Sequence, residues 1–288
     1  MSASPDRLIQ IELKLDRGER LDFEDGLALF DWPNPLDLAR LANRERERRW
    51  GGAAFYNVNL HINPANSCVM GCRFCAFGRR PFEENAYIRP PGEIVERARR
   101  MLPERCTEIH LVGGLDPRLK VEYYEGWMRA LREAFPHIHL KALTPVEVVY
   151  IARVSRLSIP ETLDRLLAAG MNSMPGGGAE IFDPEIREQI CEHKCGAGEW
   201  FEVHRLLHAR GIPTNCTMLF GHIEEPRHRV DHMLRLRDHQ DRYGGFREGR
   251  AGFQCFIPLA FHPENTDLER LPGPTALDAL RTIAAARL

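Results

Sequence analysis

Cys68-Val69-Met70-Gly71-Cys72-Arg73-Phe74-Cys75 is the stretch that decides how this chain is read. Its three cysteines are spaced C-x3-C-x2-C on a loop with a glycine at its centre and an aromatic ring just before the last thiol. Three thiolates satisfy three irons of a 4Fe-4S cluster and leave the fourth iron open to another ligand. A structural zinc ion instead takes a fourth protein ligand to complete its tetrahedron, and none stands at that spacing here. Eight cysteines in 288 residues do not make a disulfide scaffold in a chain this long. Cys68, Cys72 and Cys75 are therefore read as metal ligands.

Working outward, the chain from Tyr56 onward alternates short strand-like runs with amphipathic helical stretches, which predicts an α/β fold with a parallel sheet. The patterning predicts strands at 57–62, 108–112, 138–143, 172–174, 214–220 and 253–258. It predicts helices at 91–101, 122–134, 145–154 with 160–169, 199–210, 227–243 and a last one from Thr275. Six β/α units fit a TIM-type (β/α) barrel that stops two units short of eight-fold closure. Residues 1–56 read as a helical N-terminal extension, broken at Pro33 and Pro35, and 57–288 as the barrel core. The mixed-charge run at 43–49 reads as the solvated face of a helix.

Composition narrows the function classes. A formal charge of -2 and a pI near 6.6 give no basic surplus for a nucleic-acid or anionic-membrane partner, so a small-molecule substrate is expected. No apolar run approaches the ~20 residues that span a bilayer, and the start, Met1 to Arg7, lacks a signal peptide's apolar core. The expected location is the cytoplasm, whose reducing conditions keep thiols available.

In a parallel barrel, chemistry collects on the loops at the C-terminal ends of the strands. The cysteine triplet follows the first predicted strand, and Gly113 and Gly114 follow the second. Glycine there permits close backbone approach to a ligand. Met174-Pro175-Gly176-Gly177-Gly178-Ala179-Glu180 follows the fourth; its amides suit an anion nest, and Glu180 suits a ribose or substrate hydroxyl. Lys141, one of four lysines, ends the third strand beside Thr144 and reads either as a snorkelling surface lysine or as a carboxylate ligand. His222 and Glu224 after the fifth strand, and His262, Glu264 and Asn265 after the sixth, are candidate polar contacts. Cys106, Cys216 and Cys255 read as small core residues. Cys191, His193 and Cys195 lack neighbours that would complete a second metal site, and they lie on no predicted rim loop.

The triplet resembles the signature of the radical S-adenosylmethionine superfamily, and Leu111-Val112-Gly113-Gly114-Leu115 resembles the turn whose backbone carbonyls meet the cofactor's methionine amino group. Leu115 and Asp116 stand where the superfamily often has glutamate. A closer resemblance, to the aminofutalosine synthases, is carried by 61–66 leading into the triplet, 110–115, 175–182, 217–224, Gly244 with Gly245, and 257–266. The cyclic dehypoxanthine futalosine synthases and deazaflavin cofactor synthases share most of this framework. Lys141 and His262, in their local sequences, match the aminofutalosine synthases better.

The resemblance implies a 4Fe-4S cluster, S-adenosylmethionine as co-substrate and a reducing partner such as flavodoxin or ferredoxin. It also implies a reaction: the 5'-deoxyadenosyl radical adds to 3-((1-carboxyvinyl)oxy)benzoate, and rearrangement with loss of carbon dioxide gives aminodeoxyfutalosine. That substrate is a dicarboxylate, for which Lys141, Arg79 and the glycine loop are the local partners.

Overall fold

The computed structural model describes residues 5–246 and 249–288. The first four residues of the stretch read for a leader therefore lie outside the described residues. Three helices open the chain: α1 (Pro5–Asp16), α2 (Phe23–Phe30) and α3 (Pro35–Trp50). The side chain of Asp22 caps α2 by accepting from the Asp25 amide, and Asn34 caps α3 by accepting from Leu36. Pro35 is the first residue of α3, where its missing N–H costs nothing. The prolines thus separate two helices, as the sequence predicts.

Strands β1 (Asn59–Ile62), β2 (Glu108–Leu111) and β3 (His139–Ala142) form a parallel sheet in that order. Strands β4 (Thr214–Phe220) and β5 (Phe253–Ala260) form a second parallel pair. The strand predicted at 172–174 is reduced to two parallel bridges, Lys141 to Ser173 and Met174 to Thr214, which join the pieces into one curved wall. The reduction has a local cause. The side chain of Asn172 itself accepts the Leu140 N–H at 2.9 Å, and Pro175 ends the extended run.

The helices are α4 (Pro91–Met101), α5 (Val121–Ala134), α6 (Pro145–Ser155), α7 (Ile159–Ala168), α8 (Pro184–Cys191), α9 (Ala197–Ala209), α10 (Pro226–Tyr243) and α11 (Ala276–Arg287). Helix α8 is absent from the sequence prediction, although Asp183 capping it and Pro184 at its first position are a helix-start pattern.

Alternation along the strands sorts side chains by face. Leu60, Ile109 and Leu140, with Ile62, Leu111 and Ala142, pack outward into a core shared with Ile94 of α4 and Trp127 and Leu131 of α5. Each large side chain buried there contributes roughly 1.5–3 kcal/mol. The opposite face carries His61, His110 and Lys141 side by side in register, and it is this inner face that the barrel reserves for polar groups. Helices α1 to α3 share a second core with α10 and α11, through Ile11, Leu29, Leu38, Val230 and Ala284.

Candidate active site

The cysteine loop leaves the end of β1 and is held by its own backbone. Cys68 N–H donates to Arg79 C=O at 2.8 Å, Arg79 N–H to Asn66 C=O at 2.9 Å, and Cys75 N–H to Cys72 C=O at 3.0 Å. Gly71 has φ of 60°, and a side chain there would run into the Arg80 guanidinium, which donates to Val69 C=O at 2.9 Å. Arg79, expected to meet substrate, instead donates to the carbonyls of Ala76 and Gly78 and clasps the loop's far end.

All three cysteines are free thiols, half-buried at Cys68 and Cys72 and exposed at Cys75. Gly78 lies between two of the cysteines: a Cβ placed on it would be in ordinary contact with Cys75 Sγ at 3.6 Å and Cys68 Cβ at 3.7 Å, and its N–H donates to Cys75 Sγ at 3.3 Å. Among the described residues no three His, Cys, Asp or Glu side chains converge as ligands of one metal ion. In a cuboidal cluster each thiolate takes a different iron, so the three sulfurs need not converge on one point. Burial pushes the Cys72 thiol up to about 12, so bound iron is what would hold it as thiolate.

The glycine turn after β2 is pressed against this loop. Gly114 N–H donates to Ala65 C=O at 2.7 Å and Val69 N–H to Leu115 C=O at 2.9 Å. A side chain on Gly113 would meet the Ala65 carbonyl at 2.9 Å, and one on Gly114 would collide with that of Ser67. Asp116 is fully buried and accepts from Ser67 Oγ at 2.5 Å. Its hydrogen bonds from the Arg118 side chain hold its carboxyl down at about 2. It therefore braces the two loops against each other.

The glycine run after Met174 ends at Glu180, which is buried with φ of 48° and forms an ion pair with Lys194 at 2.6 Å. Lys194 Nζ also lies 4.9 Å from the centre of the Phe74 ring, inside the cysteine loop. Burial opposes its charge, yet the neighbouring Glu180 carboxylate and the thiols of Cys72 and Cys191 raise its pKa. Helix α8 delivers this group: Arg73 N–H donates to Ile190 C=O at 3.0 Å, and Cys191 is buried in the core that Cys72 and Phe74 pack against. The Cys191–Cys195 segment, read as lying on no rim loop, thus backs the cysteine loop. Lys194 escaped the sequence reading because nothing in its local pattern announces that contact.

Inside the wall, Lys141 Nζ lies 2.8 Å from Glu108 Oε2, with both side chains largely buried. The His61 and His110 rings stack at 4.9 Å, and His139 Nε2 is 2.6 Å from Ser173 Oγ. Burial, and then the neighbouring His61, bring His110 down to about 4. Lys141 therefore belongs to the polar lumen, not to the snorkelling alternative.

His222 does not reach this space. Its side chain is fully buried, its Nε2 is 3.2 Å from Leu219 C=O, and its Nδ1 accepts from Ile223 N–H at 2.7 Å, so neither nitrogen is left for substrate. Its neighbour Glu224 accepts from Gly221, from His222 and from Arg229, folding the loop after β4. His262 and Asn265 are exposed on the loop after β5, which joins the cysteine loop where Asp267 N–H donates to Arg73 C=O at 2.9 Å. Cys216 is buried as expected, whereas Cys106 is half-buried and Cys255 exposed.

A curved parallel wall with three free thiols after its first strand and a glycine turn locked against them is the architecture of a radical S-adenosylmethionine enzyme. The family model of the Radical SAM superfamily matches residues 62–237. Methylornithine synthase, a solved structure, superposes with a TM-score of 0.72 at 17% identity, over 95% of this chain and 74% of that one, a likeness of fold. The aminodeoxyfutalosine synthase of Thermus thermophilus is 44% identical over 98% of this chain and 75% of its own length. That of Streptomyces coelicolor is 42% identical, over 97% and 73%. A 5-amino-6-(D-ribitylamino)uracil--L-tyrosine 4-hydroxyphenyl transferase from Methanopyrus kandleri follows at 38%, over 99% and 76%. The chain belongs to the aminodeoxyfutalosine synthases of the radical S-adenosylmethionine superfamily. The deazaflavin-synthase alternative is not favoured by this ranking. The superfamily's cofactors are the 4Fe-4S cluster and S-adenosylmethionine, and no helix among the described residues is long and apolar enough to cross a membrane.

Proposed function

We propose that this enzyme adds a 5'-deoxyadenosyl group to 3-((1-carboxyvinyl)oxy)benzoate, with rearrangement and loss of carbon dioxide, to give aminodeoxyfutalosine for menaquinone biosynthesis. The observation that carries the reading is the 42–44% identity to aminodeoxyfutalosine synthases along nearly the whole chain, joined to a cysteine loop and glycine turn fitted to each other. When bound, the cluster and S-adenosylmethionine supply the adenosyl radical.

This chain's own residues bind and orient. Cys68, Cys72 and Cys75 ligate the cluster. Gly113 and Gly114 receive the methionine amino group, and Glu180, fixed by Lys194, faces the ribose. Lys141 is the lumen's cation for a substrate carboxylate, with Glu108 holding its ammonium in place until the substrate arrives. His262 and Asn265, exposed on the loop that meets Arg73, are further polar contacts for the substrate. The reducing partner is a small electron carrier of the flavodoxin or ferredoxin type. A cytoplasmic setting suits a chain whose eight cysteines are all free.

Anaerobically reconstituted protein, given reductant, S-adenosylmethionine and the vinyl ether, should yield an adenosylated, decarboxylated product by mass spectrometry. Free 5'-deoxyadenosine as the sole nucleoside product would move the reading to hydrogen abstraction.

A further inference from the structure

Glu147 is buried and touches the glycine turn. It is the third residue of α6, and its carboxylate divides between two strands' ends. Oε1 accepts the Gly113 N–H at 3.0 Å, and Oε2 accepts the Thr144 N–H at 2.7 Å. In return the Glu147 N–H donates to Thr144 Oγ1 at 3.2 Å. A capping box ordinarily finishes a helix with groups of its own first turn. Here both capping bonds are kept, and the second carboxylate oxygen reaches out to hold a neighbouring loop.

The partner at the other end of the same peptide is Asn63, whose side-chain amide donates to Val112 C=O at 2.8 Å. The N–H and C=O of a trans peptide point in opposite directions. With Glu147 on the Gly113 N–H and Asn63 on the Val112 C=O, the plane of peptide 112–113 is gripped from both sides. That plane is the fixed start of the turn; the next peptide, which carries the Gly113 carbonyl, is held in turn by Gly114 N–H on Ala65 C=O at 2.7 Å, so the turn's carbonyls are aimed from a gripped base. Leu143, just before the capping box, has φ of 61°, a conformation that a leucine adopts only when its surroundings impose it. The Leu143 N–H donates to Leu111 C=O at 2.9 Å, so this kink is tied to the end of β2 as well.

We infer that Glu147 is a positioning residue for the S-adenosylmethionine amino group, acting with Asn63 through the orientation of the Val112–Gly113 peptide and not by contact with the cofactor. The inference rests on the radical S-adenosylmethionine assignment and adds to it a residue on a different strand's helix. Two donors face the Glu147 carboxylate. A glutamine offers one acceptor oxygen and an NH2 group, so Glu147→Gln keeps at most one bond and sets a donor against a donor.

The test uses the reconstituted holoprotein and measures S-adenosylmethionine binding by anaerobic equilibrium dialysis. Iron content and the spectrum of the reduced cluster without S-adenosylmethionine are measured alongside it. Glu147→Gln should raise the dissociation constant about tenfold or more, with iron content and the reduced cluster's own spectrum kept. Asn63→Ala, which removes only the grip on the opposite side of the peptide, should show the same selective defect and covers the case in which the first variant does not fold. Glu161→Gln makes the same change in the exposed capping box of α7, where the Glu161 carboxylate bonds Ser158 and not the glycine turn, and should leave binding within twofold.

Wild-type affinity in both Glu147→Gln and Asn63→Ala would overturn the inference while leaving the assignment of the enzyme intact. So would loss of the cluster in step with loss of affinity, which marks a merely structural role. Failure of the wild-type holoprotein to bind S-adenosylmethionine would overturn the assignment itself.

Discussion

The ammonium of Lys194 stands 2.6 Å from Glu180 Oε1 and over the ring of Phe74, so a buried ion pair ties the glycine run after Met174 to the cysteine loop. Removing one member leaves the other charged, buried and unpaired, which costs about 3–5 kcal/mol. Lys194→Met should lower the unfolding free energy of the metal-free protein by about that much in urea titrations, and Lys194→Met with Glu180→Gln should recover most of it. Equal losses in the single and double variants would mean the pair is not coupled. Because the charge also lies beside Cys72, Lys194→Met should make the reconstituted cluster harder to reduce.

Lys141 is held by Glu108 in the lumen. If a substrate carboxylate joins that pair, Lys141→Ala removes a charge-assisted hydrogen bond worth about 1.5–3 kcal/mol. The Michaelis constant for the vinyl ether should then rise roughly ten- to a hundredfold, with S-adenosylmethionine affinity unchanged. Glu108→Gln, which keeps the ammonium and removes its competitor, should not raise that constant. A Michaelis constant indifferent to Lys141→Ala would place the carboxylate elsewhere.

Acid should unfold this protein through a nest of histidines beneath the wall. His204 and His208 both bond Thr214 Oγ1 at 2.9 Å, and burial brings His208 and His232 down to about 3 and His239 to about 4. Burial also holds His204 well below its ordinary value. These rings stay neutral when folded, while the unfolded chain takes up protons below pH ~6.5. Stability is therefore full above that pH and falls as pH drops toward about 4, by up to ~1.4 kcal/mol per unit for each ring. Urea midpoints measured between pH 7 and 5 should show this decline; a flat profile would refute it.

Cys191 and Cys195 test whether closeness to the cluster loop means ligation. Both are buried, Cys191 beside the residues that pack on Cys72 and Phe74. With three thiolates already supplied, the Cys191→Ala/Cys195→Ala variant should keep full iron content while losing about 1–3 kcal/mol of stability from the emptied core. Halved iron would reveal a second site.

Much of the fold was legible because periodicity reports burial directly. The predicted 91–101 and 214–220 coincide with α4 and β4, whose apolar faces or continuous burial leave a strong signal. The strand at 172–174 failed because the Asn172 side chain takes over a ladder position, a contact that no pattern records. The cysteine triplet and the two glycine motifs stand out in the local sequence, and the structure brings their loops together. Lys194, Asp116 and Glu147 do not stand out, since each acts on a loop brought to it only by the closing of the wall. His222 differs for a local reason: it stands on the rim that the pattern gives it, but its ring nitrogens are taken by Leu219 C=O and Ile223 N–H.

The central claim is a three-cysteine cluster with one iron open to S-adenosylmethionine, and electron paramagnetic resonance of the dithionite-reduced, reconstituted protein tests it most directly. The wild type should show the signal of a one-electron-reduced 4Fe-4S cluster that changes on adding S-adenosylmethionine, and Cys68→Ala, Cys72→Ala and Cys75→Ala should each lose it. A wild-type signal indifferent to S-adenosylmethionine, or an intact cluster in all three variants, would contradict the account.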